Sequence, residues 1–214
     1  MNRRDFSIQL GSAGLGLALV GPAHAQAPVE GTHFVKLSQR APVSLPGPDK
    51  KLEVVEFFWY ECPHCFAFEP VLESWTKKLA PDIAFRRVPV GFTARHQVAQ
   101  KLFYALEEMG QLANAHRKIF NAIHGQGQRL TSESDALALA TAAGVDGAKF
   151  SETFKSFGVN TKATKARQLS DAYKIDGVPA LGIDGRFFTS GALAGGHDRA
   201  ISVADYLIDR ARKG

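Results

Sequence analysis

The stretch Lys51–Tyr60, KLEVVEFFWY, is crowded with Val, Phe, Trp and Tyr, residue types that favour extended chain. It is apolar on both faces, so it reads as a central strand covered on both sides. Immediately after it come Glu61-Cys62-Pro63-His64-Cys65, with the only two cysteines of the chain. From Pro63 the periodicity turns helical: Phe66, Val71, Leu72 and Trp75 recur on one face, and Pro63 suits a first helical position. A second strand, Ile83–Val90, follows Ala80-Pro81-Asp82. Strand, thiol pair, helix and strand in that order make a βαβ unit with both thiols at a strand's carboxyl end.

Two cysteines this close cannot serve as a useful staple, because the entropy gained from a crosslink falls as the loop shortens. Structural zinc needs four ligands, and no second CxxC completes a site. His33, His96, His116, His124 and His197 are scattered without HxxxH spacing, so no metal is expected. Soft copper(I) held by the thiol pair remains a rival from a different functional class. Redox chemistry fits best, since CxxC beside a βαβ pattern is a thioredoxin-like signal. At a helix N-terminus the Cys62 sulfur faces free backbone N–H groups and the positive end of the helix dipole, which favours thiolate. Cys65 lies about one turn further on and can reach back to the same sulfur. Cys62 therefore takes the intermolecular role and Cys65 resolves the mixed disulfide. Pro63 restrains the turn, and the His64 ring can favour the thiolate by charge or hydrogen bond.

The rest of the chain suggests where an insertion lies. Val98, Leu102, Phe103 and Leu106 mark one helix, and Leu112, Ala115, Ile119 and Ile123 another. Thr131–Asp135 offers N-caps for a helix over Ala136–Ala143, and Asp146 starts a further one through Phe154. Asn160–Tyr173 reads as a helix returning to the sheet. Strand signals resume at Val178–Ile183, turn at Asp184-Gly185 and continue over Arg186–Thr189, before a last helix over Asp198–Ala211. The expected organisation is an α/β domain over residues 26–92 and 161–214, split by a helical insertion at 93–160. Residues 26–50, with four prolines, form an extended lead-in with one short strand near His33–Leu37.

The first 25 residues read differently. Arg3 and Arg4, the apolar stretch Ile8–Val20 and Ala23-His24-Ala25 have the layout of a signal peptide cleaved before Gln26. Asn2-Arg3-Arg4-Asp5-Phe6 also looks like a twin-arginine export signal, leaving the route open between that and the general one. The net charge of +5 is spread along the chain without a dense basic block, so nucleic acid is not an expected partner.

CPHC after a V-x-E-F-F strand, a helical insertion, and Gly177-Val178-Pro179-Ala180 together resemble the DsbA family of periplasmic thiol:disulfide oxidoreductases. The resemblance runs from about Leu52 onward. It is specific at Glu56–Cys65 and Gly177–Pro179, and loose through the insertion. It implies a thioredoxin fold with an inserted helical domain, and an oxidase that introduces disulfides into unfolded exported proteins with free thiols. Cys62 and Cys65 would be the catalytic pair and Pro63-His64 the redox-setting dipeptide. Pro179 would be a cis-proline facing the thiols, with Val178 hydrogen-bonding an extended substrate. A DsbB-type membrane partner would reoxidise the pair, no cofactor beyond the Cys62–Cys65 disulfide would be needed, and a periplasmic monomer is expected. A disulfide reductase, an isomerase or a specialised oxidase is the alternative within redox chemistry.

Two carboxylates complete the picture. Glu56, flanked by Val54, Val55, Phe57 and Phe58, is expected to be buried beneath the thiols, with its pKa raised and a proton to exchange with Cys65. Glu61 stands where the family is typically apolar, and a negative charge there opposes thiolate formation if it points inward. Arg86 and Arg87 read as a solvated strand edge, and His197 as a surface-loop residue, with a place in the wall of a peptide groove as the alternative.

Overall fold

The structure, a computed structural model, describes residues 27–213. The export signal expected at residues 1–25 lies outside the described residues. A five-stranded sheet runs in the order β1-β5-β4-β2-β3. These strands are β1 (Val35–Lys36), β2 (Leu52–Phe58), β3 (Ile83–Pro89), β4 (Ala180–Ile183) and β5 (Phe187–Ser190). β2 pairs parallel with β3 and antiparallel with β4, and all seven of its residues are buried. The doubly apolar sequence of that strand is thus matched by cover on both faces.

One face carries α1 (Pro63–Thr76) and α8 (His197–Arg212). There Leu52 and Val54 of β2 pack with Phe68, Leu72 and Trp75 of α1 and with Val203, Leu207 and Ile208 of α8. The opposite face meets α2 (Ala94–Glu108) and α6 (Phe157–Ala172), where Val55 and Phe57 pack with Leu102, Phe103, Ala166 and Leu169. Between them α3 (Leu112–Gln126), α4 (Glu133–Ala142) and α5 (Gly147–Lys155) complete the helical segment between β3 and β4. Residue 160 falls inside α6, which packs on both α2 and β3, so this helix belongs physically to the helical layer and to the sheet. A short helix absent from the sequence reading, α7 (Gly191–Ala194), is capped by the Ser190 hydroxyl, which accepts from Leu193 N–H at 3.2 Å. No helix of the described residues is long and apolar enough to cross a membrane.

The Asp184-Gly185 turn forms as the sequence suggests. Both residues sit at positive φ, 50° and 65°, and Arg186 N–H donates to the Ile183 carbonyl at 2.9 Å. A Cβ on Gly185 would run into the Ala41 carbonyl oxygen. Gly185→Ala is therefore expected to cost roughly 2 kcal/mol or more, from backbone strain plus the clash, read as a lowered denaturant midpoint.

Candidate active site

The turn Trp59–Cys62 carries the chain from β2 into α1, and Cys62 is itself the N-cap of α1, with φ −86° and ψ 115°. Pro63 occupies the first turn, where its missing N–H costs nothing. The Cys65 backbone N–H donates to Cys62 Sγ at 3.4 Å. On its other side Cys62 Sγ donates to the Val178 carbonyl at 3.5 Å, and the Val178–Pro179 bond that follows is cis. Cys62 is 7% exposed and Cys65 fully buried, both present as thiols. Cys62 is thus the more accessible of the two.

Their proton affinities split accordingly. Cys62 is lowered to about 6, first by its side-chain hydrogen bond with Cys65, then by the N–H groups of Cys65 and His64 and by the His64 charge, with burial working against these. His64 is exposed, and its ring charge ranks behind its backbone N–H, so the ring is a secondary influence. Burial pushes the Cys65 thiol up, reinforced by its partner Cys62. The pair is a ready nucleophile beside a thiol that holds its proton.

Beneath them lies a buried chain of charge. Period-2 alternation puts Glu56 on the same face as Val54, under α1, and places Arg87 of β3 directly beside it in the parallel ladder. Arg87 Nε lies 2.9 Å from Glu56 Oε2, close enough for an ion pair but not aligned for a hydrogen bond. Arg87 Nη2 also reaches Glu69 of α1 at 3.1 Å. Glu69 Oε1 in turn accepts from His116 Nε2 at 3.4 Å, and His116 Nδ1 accepts from the Tyr60 hydroxyl at 2.8 Å. That tautomer follows because a carboxylate only accepts. Burial pushes Glu56 up to about 8, and the nearby Glu69 charge adds to this while Arg87 opposes it. For Glu69, burial is outweighed by the His116 hydrogen bond and the Arg87 charge, which hold it below its ordinary 4.5. Burial lowers His116, so it is neutral at neutral pH. One guanidinium between two carboxylates leaves Glu69 ionised and Glu56 carrying a proton.

Arg87 corrects the solvated-edge reading. Successive strand residues face opposite ways, so in a sheet covered on both faces Arg86 and Arg87 must both find buried acids. Arg86 Nε pairs with fully buried Glu53 at 2.7 Å, as Arg87 does with Glu56. Glu69 carried a signal too, since it lies four residues after Cys65 and shares its helix face. His116 and Tyr60 carried none, being joined only by tertiary packing. His197 is not a loop residue but opens α8, its ring 5.0 Å from that of Phe68. With His64, Val178, Pro179, Phe188 and Leu193 it lines a groove of about 640 Å³ beside Cys62. Pro63, His64, Cys62, Val178 and Pro179 are thus gathered at one mouth, with Cys65 and Glu56 below it.

A thioredoxin-like sheet with such a thiol pair at the end of its central strand defines a thiol:disulfide oxidoreductase. Residues 53–199 match the DSBA-like thioredoxin domain, and the chain belongs to that family. It is 40% identical over 182 residues to the thiol:disulfide interchange protein DsbA of Azotobacter vinelandii, covering 85% of this chain and 84% of that protein. It is 38% identical over 215 residues to DsbA of Bordetella pertussis, covering 100% of each. The crystal structure of Pseudomonas aeruginosa DsbA superposes with a TM-score of 0.80 at 39% identity, covering 86% of this chain and 94% of that one.

Proposed function

We propose that this enzyme works as an oxidant in the periplasm, passing its Cys62–Cys65 disulfide to exported proteins that still carry free thiols. The observation that carries this reading is the position of Cys62 Sγ, at the helix N-terminus, against the carbonyl of the groove residue Val178, and holding its proton far less tightly than Cys65. A client thiolate attacks Cys62, the Cys62–Cys65 bond breaks, and Cys65 leaves and takes up a proton. A second client thiolate then attacks the client sulfur of the mixed disulfide, releasing Cys62 as a stable thiolate. The client gains a disulfide and the enzyme ends as a dithiol. Val178 and Pro179 would hold the client backbone in the groove, and a DsbB-type membrane partner would reoxidise the pair. The thiol pair is the electron carrier, so no further cofactor enters this scheme.

Glu56 supplies the proton that Cys65 needs on leaving, because near neutral pH it is still protonated. Glu56→Gln is expected to remove an inflection near pH 8 from the rate of client oxidation, once the rate is corrected for client thiolate. Its effect on stability has a definite sign. Folding raises this carboxyl from 4.5 to about 8, so the folded state binds the proton more tightly and loses stability as pH rises through that window. Glutamine lacks this penalty and should stabilise the protein near pH 8, with the gain vanishing toward pH 4.5. Oxidation of a reduced, unfolded client, followed by free-thiol titration, tests the function itself: no acceleration over glutathione disulfide would overturn it.

A further inference from the structure

Glu61 directly precedes Cys62, where a negative charge should oppose the thiolate. Its side chain cannot simply turn into water: it is 12% exposed, and Oε2 is buried without a hydrogen-bond partner. Oε1 instead accepts from Arg95 Nη2 at 3.1 Å. Arg95 belongs to the first turn of α2, which holds no acid. A cation there meets the positive end of its own helix dipole, so the local sequence gains nothing from it. The compensation is non-local. The guanidinium lies 5.3 Å over the Trp59 ring, and the neighbouring His96 ring lies 4.6 Å from the same indole. The amino end of α2 thus covers the turn that delivers Cys62.

We infer that Arg95 is a positioning residue for the exchange reaction, neutralising the Glu61 carboxylate so that the adjacent Cys62 sulfur can carry the attacking charge. This rests on Cys62 being the activated thiol. His96 also feels Glu61 but cannot replace Arg95, because burial lowers its pKa and leaves it neutral at neutral pH. The other titratable groups around Cys62 are His64 and Cys65 on α1, His197 across the groove and Glu56 beneath Cys65. None of these is paired with Glu61.

The test is titration of the Cys62 thiolate by its ultraviolet absorbance in the reduced protein, with R95A, R95K, E61Q and R95A/E61Q beside the wild type. R95A is expected to raise the Cys62 pKa by roughly half a unit to one unit, a threefold to tenfold loss of thiolate on the acid side of its titration. R95K should stay near the wild type, because it keeps the charge. The double variant should return to it, because the offending carboxylate has gone with its partner. An R95A titration that coincides with the wild type would overturn the inference. So would a double variant that stays raised, since Arg95 would then act through shape and not charge. A wild-type Cys62 that titrates like an ordinary thiol would overturn the reading of Cys62 itself, and this one with it.

Discussion

Cys62→Ser and Cys65→Ala are both expected to bring client oxidation down to the uncatalysed rate, but only Cys65→Ala should still attack a disulfide offered by an oxidised partner and stay joined to it. The difference follows from where the two sulfurs sit. Cys62 caps α1 beside the groove, and its sulfur accepts a backbone N–H that stabilises negative charge. A serine hydroxyl in the same place forms no disulfide, so nothing remains to transfer. Cys65 is fully buried and pushed up by that burial, so it serves only as the internal partner. Without it, a mixed disulfide between Cys62 and a client or a membrane partner has no internal route of release. After mixing with a disulfide-bearing protein, whose second sulfur leaves as a thiol, non-reducing gels of Cys65→Ala should show a thiol-sensitive adduct that Cys62→Ser lacks. An adduct formed equally well by the two variants, or only by Cys62→Ser, would contradict the assignment.

Arg87→Ala should be the most damaging substitution away from the sulfurs. It removes the cation that lies against Glu56 and pairs with ionised Glu69, leaving that 9% exposed carboxylate without its counter-charge. Breaking a buried pair from one side typically costs about 3–5 kcal/mol. Arg87's own side chain is 23% exposed, which places the expected loss near the lower end of that range. The pH dependence identifies the cause. In the wild type Glu69 sits below its ordinary 4.5, so its ion pair stabilises the fold above that pH and is lost as pH falls through the lowered value. Without Arg87 that contribution disappears, so the gap between variant and wild type should be widest near neutral pH and close in acid. Arg87→Lys restores charge but cannot fork between two carboxylates, and should recover only part of the loss. Denaturant midpoints of the reduced proteins at neutral and acid pH check this. A gap that does not narrow in acid would point to lost packing instead.

The fold and the thiol site were legible because their signals are local. A doubly apolar strand, a CxxC at its end, a proline at the helix start and an Asp-Gly turn each constrain a few neighbouring residues, and β2, α1 and the β4–β5 hairpin follow from them. Glu56 was legible as a carboxylate in a strand that must be buried. Its partners were not, since Arg87 reaches it through strand pairing and His116 reaches Glu69 across 47 positions of chain. Arg86-Arg87 looked like a solvated edge because the covering helices come from beyond the strand, yet with both faces covered, alternation turns each of them toward a helical layer. Glu61 was visible as an anomaly, but Arg95, 34 positions away, could be found only in the folded chain. The electrostatic frame around the sulfurs is therefore tertiary, although the sulfurs themselves are announced by sequence.

The most direct test of the account is the equilibrium reduction potential of the Cys62–Cys65 couple against glutathione. A thiolate favoured at Cys62 stabilises the reduced pair, so the disulfide should be readily given away and the potential should lie above about −200 mV. A potential at or below about −270 mV, in the range of a reducing thioredoxin, would contradict it.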